Sequence, residues 1–187
     1  MVISTQLKRF IFFSLFAFHF SLLLTGCAAG QKQVVAPDFR PVAVQGIAYV
    51  VPFVTTLVPE TLTEKIFNTF IDTLNTNREA TDIRWFYIVK EEFQDLDPAW
   101  LAKQLYITGE IWSYIEDIGC CSAELRLTSR LRIFEAGKAE PAMEFLIPRQ
   151  RFFDKDKSTL EAERALLALD LADEMAARIL GALAKRK

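Results

Sequence analysis

The chain has 187 residues, 51% of them hydrophobic, with 22 Lys+Arg against 24 Asp+Glu and a formal net charge of −2. That balance lacks the basic face that nucleic acid requires, and the length suits one domain with one core. One histidine, His19, and three cysteines narrow the chemistry further.

Lys8 and Arg9 precede an apolar run from Phe10 to Leu24 that holds six phenylalanines and four leucines. The run is shorter than the roughly 20 residues that cross a bilayer core. A charged start, a short apolar stretch and then small residues is the pattern of a secretory signal peptide. The stretch ends on Leu24-Thr25-Gly26-Cys27, which resembles the lipobox of bacterial lipoproteins. That resemblance implies a signal peptide over residues 1–26 and a lipidated Cys27, its thiol carrying diacylglycerol and its amino group a further acyl chain such as palmitate. Each buried methylene contributes about 0.8 kcal/mol, so two or three chains hold durably where one does not. Ala28 stands where aspartate would signal inner-membrane retention, so the same resemblance favours the periplasmic face of the outer membrane.

Cleavage there would remove His19 and, from the 22 basic residues, Lys8 and Arg9, leaving 20 against 24 acidic ones. A chain without histidine cannot run Ser-His-Asp or Cys-His catalysis, nor build the usual zinc sites. We therefore expect no enzyme, no metal and no cofactor.

Residues 27–45 carry Gly30, Pro37 and Pro41 with no sustained period, and read as a flexible tether before a single domain over 46–187. Ile47 to Val54 is an apolar, β-rich run interrupted by Pro52, which reads as a buried strand. Thr61-Leu62-Thr63-Glu64 fits a capping box. Behind it Leu62, Ile66, Phe70 and Leu74, widened by Phe67 and Ile71, predict an amphipathic helix to about Asn75. Ile83 to Val89 is a second strand; strand-helix-strand order suggests that it runs parallel to the first. Asp97-Pro98 predicts an N-cap and first helical position, with Trp100, Leu101 and Leu105 inward on a short helix.

Tyr106 to Ile118 alternates, with Ile107, Gly109, Ile111, Ser113 and Ile115 on one face and Thr108, Glu110, Trp112, Tyr114 and Glu116 on the other. Glu124 to Glu135 puts Leu125, Leu127, Leu131 and Ile133 inward, with Arg126, Arg130 and Arg132 outward. Met143 to Phe153 gives a third strand, completing an antiparallel meander with one wet face. Ser158-Thr159-Leu160-Glu161 reads as a second capping box. It leads into a long C-terminal helix with Ala165, Leu169, Ala172, Ala176, Ile179 and Leu183 inward, broadened by Ala168 and Met175. The predicted class is α+β: a mixed β-sheet, formed by a βαβ unit and a three-strand meander, with packed helices.

Pro52-Phe53 after the first strand, Tyr106-Ile107-Thr108-Gly109-Glu110-Ile111 and Leu125 to Leu131 carry a second resemblance. Residues 47 to 185 resemble the periplasmic domain shared by CsgG, the curli secretion lipoprotein, and LpoB, a lipoprotein activator of a penicillin-binding protein; the amino-terminal domain of TolB is similar. The shared pattern is a V-x-P-F first strand and a hydrophobic-T-G-x-I strand. The resemblance implies envelope assembly or partner activation without catalysis, an envelope protein partner, and a homo-oligomer of the curli type. Between Gly119 and Glu135 the chain lacks the long amphipathic insertion that builds the curli pore, so no secretion channel is expected.

Glu110, Trp112, Tyr114, Arg126, Arg130 and Arg132 form the candidate partner-binding face, because exposed aromatics beside arginine mark interfaces. A solvated face of cross-strand ion pairs, each worth at most about 1 kcal/mol, is the plain alternative. Cys120-Cys121 reads as a vicinal disulfide acting as a redox or metal switch, as a strained ring that only stiffens a hairpin or two thiols sent to opposite faces, or as an intermolecular link. Adjacent strand residues point apart and no CxxC spacing is present, which favours the second, structural reading. Glu91-Glu92 and Asp95/Asp97 do not by themselves place two carboxylates across a cleft. An auxiliary lipoprotein of lipid or lipopolysaccharide transport is the alternative function; it calls for a deep apolar groove between sheet and helices.

Overall fold

A computed structural model of the chain describes residues 32–36, 39, 46–91 and 93–185; the expected signal peptide and Cys27 lie outside the described residues. Seven strands are described: β1 (Lys32–Val35), β2 (Ile47–Val50), β3 (Val54–Thr55), β4 (Trp85–Ile88), β5 (Tyr106–Ile118), β6 (Ser122–Phe134) and β7 (Met143–Asp154). The described helices are α1 (Glu60–Thr76), α2 (Pro98–Leu101) and α3 (Leu160–Ala182). The sheet order is β1-β7-β6-β5-β2-β4, with β3 also on β5. β2, β3 and β4 join by parallel pairing, while β5, β6, β7 and β1 are antiparallel. This is the α+β class with a mixed sheet and a long C-terminal helix.

α1 and α3 cover one face of the sheet. The core beneath them joins Leu62, Ile66, Phe70 and Leu74 to Ile107, Ile111, Leu125, Leu127, Leu131 and Ile133. The four-residue spacing of the α1 set keeps it on one side of the helix. A smaller cluster lies on the other face, where Val51, Val89, Leu101 and Tyr106 pack with Tyr49, Trp100 and Phe134. α2 packs over it, started as expected by Asp97, whose Oδ1 accepts from Ala99 N–H at 2.9 Å.

Four expectations are corrected. The tether does not run free to residue 45: Lys32–Val35 pairs with β7, and Phe39 is buried in the core. A four-residue run is too short to show a period, yet β7 offers it an open edge and Phe39 gains apolar burial. α1 begins one residue before the expected capping box, at Glu60 after Pro59 without a side-chain cap, so Thr61 is already helical. Thr63 Oγ1 instead donates back to the Pro59 carbonyl at 3.3 Å. At α3 the cap is Thr159 rather than Ser158, with Oγ1 accepting from Ala162 N–H at 3.2 Å. The buried stripe of α3 is also rotated, centred on Leu167, Ala168, Leu171, Ala172, Met175, Ala176 and Ile179.

β4 is a sheet edge and exposes Trp85, Tyr87 and Ile88. Its outward backbone is partly occupied by α1. Asn75 Nδ2 donates to the Phe86 carbonyl at 3.1 Å, and Phe86 N–H donates to Asn75 Oδ1 at 3.1 Å. One amide thus mimics the next strand and blunts an edge that would otherwise pair with another chain. Asn75→Ala is expected to cost about 1–2 kcal/mol for two lost hydrogen bonds and to raise self-association in sedimentation velocity. Unchanged stability and mass would refute this role for Asn75.

Candidate partner-binding face

Strict alternation in β6 sends Leu125, Leu127, Ser129, Leu131 and Ile133 into the core and Arg126, Arg130 and Arg132 to the uncovered face. On β5, Glu110 faces Arg130 across the ladder. The Arg130 guanidinium lies 4.4 Å from the centre of the Trp112 ring, a cation–π contact. Glu110 is 3.7 Å and Glu144 is 3.8 Å from it, both beyond hydrogen-bond distance, and Arg130 Nε is buried without a hydrogen-bond partner. Arg132 Nε donates to Glu144 at 2.9 Å, while Arg126 lies 3.8 Å from Glu124. Five of the six expected face residues therefore share one surface: Glu110, Trp112, Arg126, Arg130 and Arg132.

Tyr114 does not. The β5–β6 register shifts between Ile111 and Ser113, so Trp112 is an extra residue without a partner. A β-bulge of this kind reverses the alternation beyond it. Tyr114 and Glu116 turn to the helix side, and Ile115 is left exposed. There Arg164 of α3 grips Glu116 with both arms, Nε to Oε1 at 2.6 Å and Nη2 to Oε2 at 2.7 Å. Its Nε also donates to the Tyr114 hydroxyl at 3.2 Å, and that hydroxyl donates to Glu116. Sequence reasoning missed Arg164; its position four residues after Leu160 and four before Ala168, on the rim of the apolar stripe, is the available signal.

The hydrogen bond from Arg164 holds the Glu116 carboxyl below the usual carboxylate range, and burial, with Glu116 beside it, pushes the Tyr114 hydroxyl up to about 12. A depressed carboxylate stabilises the fold above its unfolded pKa, and that contribution is lost as pH falls through the folded value. Acid should thus weaken the wild type more than Glu116→Gln, read as converging urea midpoints below about pH 4.3. A raised hydroxyl works the other way, its contribution being lost as pH climbs from 10 to about 12. One tyrosine should therefore ionise near 12 by tyrosinate absorbance, and Tyr114→Phe should remove that step.

Other charges also bind α3 to the sheet. Arg151 Nε meets Glu163 at 2.7 Å and its Nη1 meets Asp170 at 2.6 Å, while Arg149 meets Glu174 at 3.1 Å. Cys120 and Cys121 are exposed in the turn between β5 and β6, with sulfurs 3.2 Å apart. Their side chains point together, because a turn does not obey strand alternation. Glu91, Asp95 and Asp97 line a shallow pocket of about 260 Å³ with Val89, Leu96 and Trp100. Asp97 is already engaged as the α2 cap. Among the described residues, no three of His, Cys, Asp or Glu gather closely enough to hold a metal ion, and no helix is long and apolar enough to cross a membrane.

No family model and no curated protein matches the chain. Solved structures do. PelC from Paraburkholderia phytofirmans, a dodecamer, is 14% identical; the match covers 84% of this chain and 99% of that one at a TM-score of 0.52. A hypothetical protein from Chlamydia trachomatis is 14% identical over 74% of this chain and 97% of its own, at 0.50. A protein from Xanthomonas campestris is 9% identical over 79% and 89%, also at 0.50. The likeness is one of fold.

Proposed function

We propose that this protein is a lipid-anchored, non-catalytic binding module of the bacterial cell envelope, which engages a protein partner through the face centred on Arg130 and Trp112. The compartment rests on the lipobox at Cys27, and Ala28 favours the outer membrane. The interface rests on one observation above all: Arg130 is oriented by the Trp112 ring and by two carboxylates that do not hydrogen-bond it. Its Nη donors, unlike the buried Nε, remain for a carboxylate or carbonyl of the partner, and arginine beside tryptophan is the composition of interface hot spots. The resemblance to the domain of CsgG, LpoB and TolB suggests assembly or activation as the outcome. The fold shared with dodecameric PelC makes a second copy of this chain one partner to test.

The test is photo-crosslinking in cells from position 112, with position 65 on the exposed side of α1 as control. One defined product from position 112, lost in Arg130→Ala, supports the reading. Equal labelling from both positions, or none, overturns it. The lipid-transport alternative is not adopted, because the space beneath α1 and the middle of α3 is filled by Ile66, Phe70, Leu131, Leu167 and Leu171, and the pocket at the start of α3, lined by Ile118, Ala123, Phe153 and Leu160, has only about 280 Å³.

A further inference from the structure

We propose that Cys120 and Cys121 are a redox modification site that closes into a disulfide within their own turn, an assignment independent of the partner-binding reading. Both side chains are exposed and their Sγ atoms are 3.2 Å apart. The turn is fixed from two directions. Gly119 N–H donates to the Ser122 carbonyl at 2.9 Å, closing the hairpin. Lys155, just beyond β7, donates its backbone N–H to the Cys121 carbonyl at 2.9 Å and its Nζ to the Gly119 carbonyl at 2.6 Å. With the carbonyls flanking Cys120 held in this way, the two sulfurs need approach each other by only about 1 Å more to reach the bonded distance of about 2.05 Å.

The chemistry is thiol–disulfide exchange with an external disulfide, RSSR. One cysteine thiolate attacks it, forming a mixed disulfide and expelling RS⁻. The neighbouring thiolate then attacks the protein sulfur of that bond and expels the second RS⁻. Two protein thiols and one RSSR thus become one protein disulfide and two RSH, with two electrons passing to the oxidant. The second step is intramolecular between sulfurs already in contact, so its effective concentration exceeds that of a thiol on another chain. The ring closes through a single peptide bond, and small, exposed disulfides of this kind are the reducible ones. The pair therefore cycles with the surrounding redox poise instead of serving as a permanent staple. Extracytoplasmic compartments supply disulfide oxidants of the required class.

The test treats the reduced full-length protein with glutathione disulfide and reads the tryptic peptide of residues 104–126, which separates both sulfurs from Cys27. The expected result is a loss of about 2 Da on that peptide, reversed by dithiothreitol, without glutathione adducts or disulfide-linked dimers. Cys120→Ser should instead stop at a stable glutathione adduct on Cys121, showing that the second thiol resolves the first. Glutathione retained on either cysteine of the wild type, or a covalent dimer through this peptide, would overturn the proposal.

Discussion

Gly109→Val will destabilise the domain more than most single changes, by at least about 3 kcal/mol, the upper part of the range for overpacking a filled core. A Cβ built on Gly109 falls 2.3 Å from two atoms of the Phe53 ring and 2.9 Å from a third. Moving the half-buried ring aside would break its edge-on contact with Phe67 at 5.0 Å and its packing on Phe70 at 5.4 Å. The backbone at Gly109 is also constrained, since it pairs with Leu131 in the centre of the sheet. Gly109→Ala should cost about 1–3 kcal/mol by the same clash, read as a lower urea midpoint at unchanged slope. Shrinking the ring supplies the control: in Phe53→Leu the added methyl has room, so Gly109→Ala should cost clearly less there. That non-additivity is the signature of direct contact. Equal costs in both backgrounds would place the sensitivity of Gly109 elsewhere. The contact also explains why Pro52-Phe53 and Thr108-Gly109, far apart in sequence, are read together as one pattern: the aromatic ring of one lies on the bare backbone of the other.

Cys27→Ala will abolish fatty-acyl incorporation altogether while leaving the fold intact. On the proposed reading the thiol is the attachment point, and no other side chain can replace it as the site of the thioether. Two or three acyl chains at about 0.8 kcal/mol per buried methylene account for stable membrane association; none of that survives the substitution. Radiolabelled palmitate should label the wild type and not the variant, and the intact mass of the wild type should exceed that of residues 27–187 by its acyl groups. The urea midpoint of the variant should match the wild type, because every described strand, helix and core residue lies at or beyond Lys32. Retained acyl label in Cys27→Ala would remove the basis for the envelope assignment. A matching midpoint with lost label would locate the effect in anchoring alone.

The two substitutions probe different kinds of information in the chain. Leu24-Thr25-Gly26-Cys27 is a contiguous pattern whose resemblance to a lipobox is legible without any fold. The outward arginines of β6 were legible too, because β6 runs its full length without a bulge and a period of two then fixes every face. β5 looked equally regular, yet the extra residue at Trp112 reversed its second half and moved Tyr114 from the expected face to the helix. Alternating residue types tolerate that reversal: Tyr114 and Glu116 are as compatible with a buried arginine contact as with solvent. Of the readings open to the cysteine pair, thiols sent to opposite faces does not describe it, since the two residues lie in a turn where strand alternation does not hold.

By itself the sequence determined the lipobox-like pattern at Leu24 to Cys27, the absence of histidine after residue 26, the class of the fold, and the existence of every long element among the described residues. Those properties are written in short windows, as periodicity, caps and contiguous motifs. Tertiary structure alone decided that Lys32–Val35 completes the sheet, that Asn75 closes its far edge, that Arg164 reaches Glu116, and that Phe53 rests on Gly109. Each of these joins residues from separate elements, and its energy comes from contact geometry that residue identity alone does not encode. The candidate face stands between the two: periodicity placed its arginines, and a single bulge drew its border.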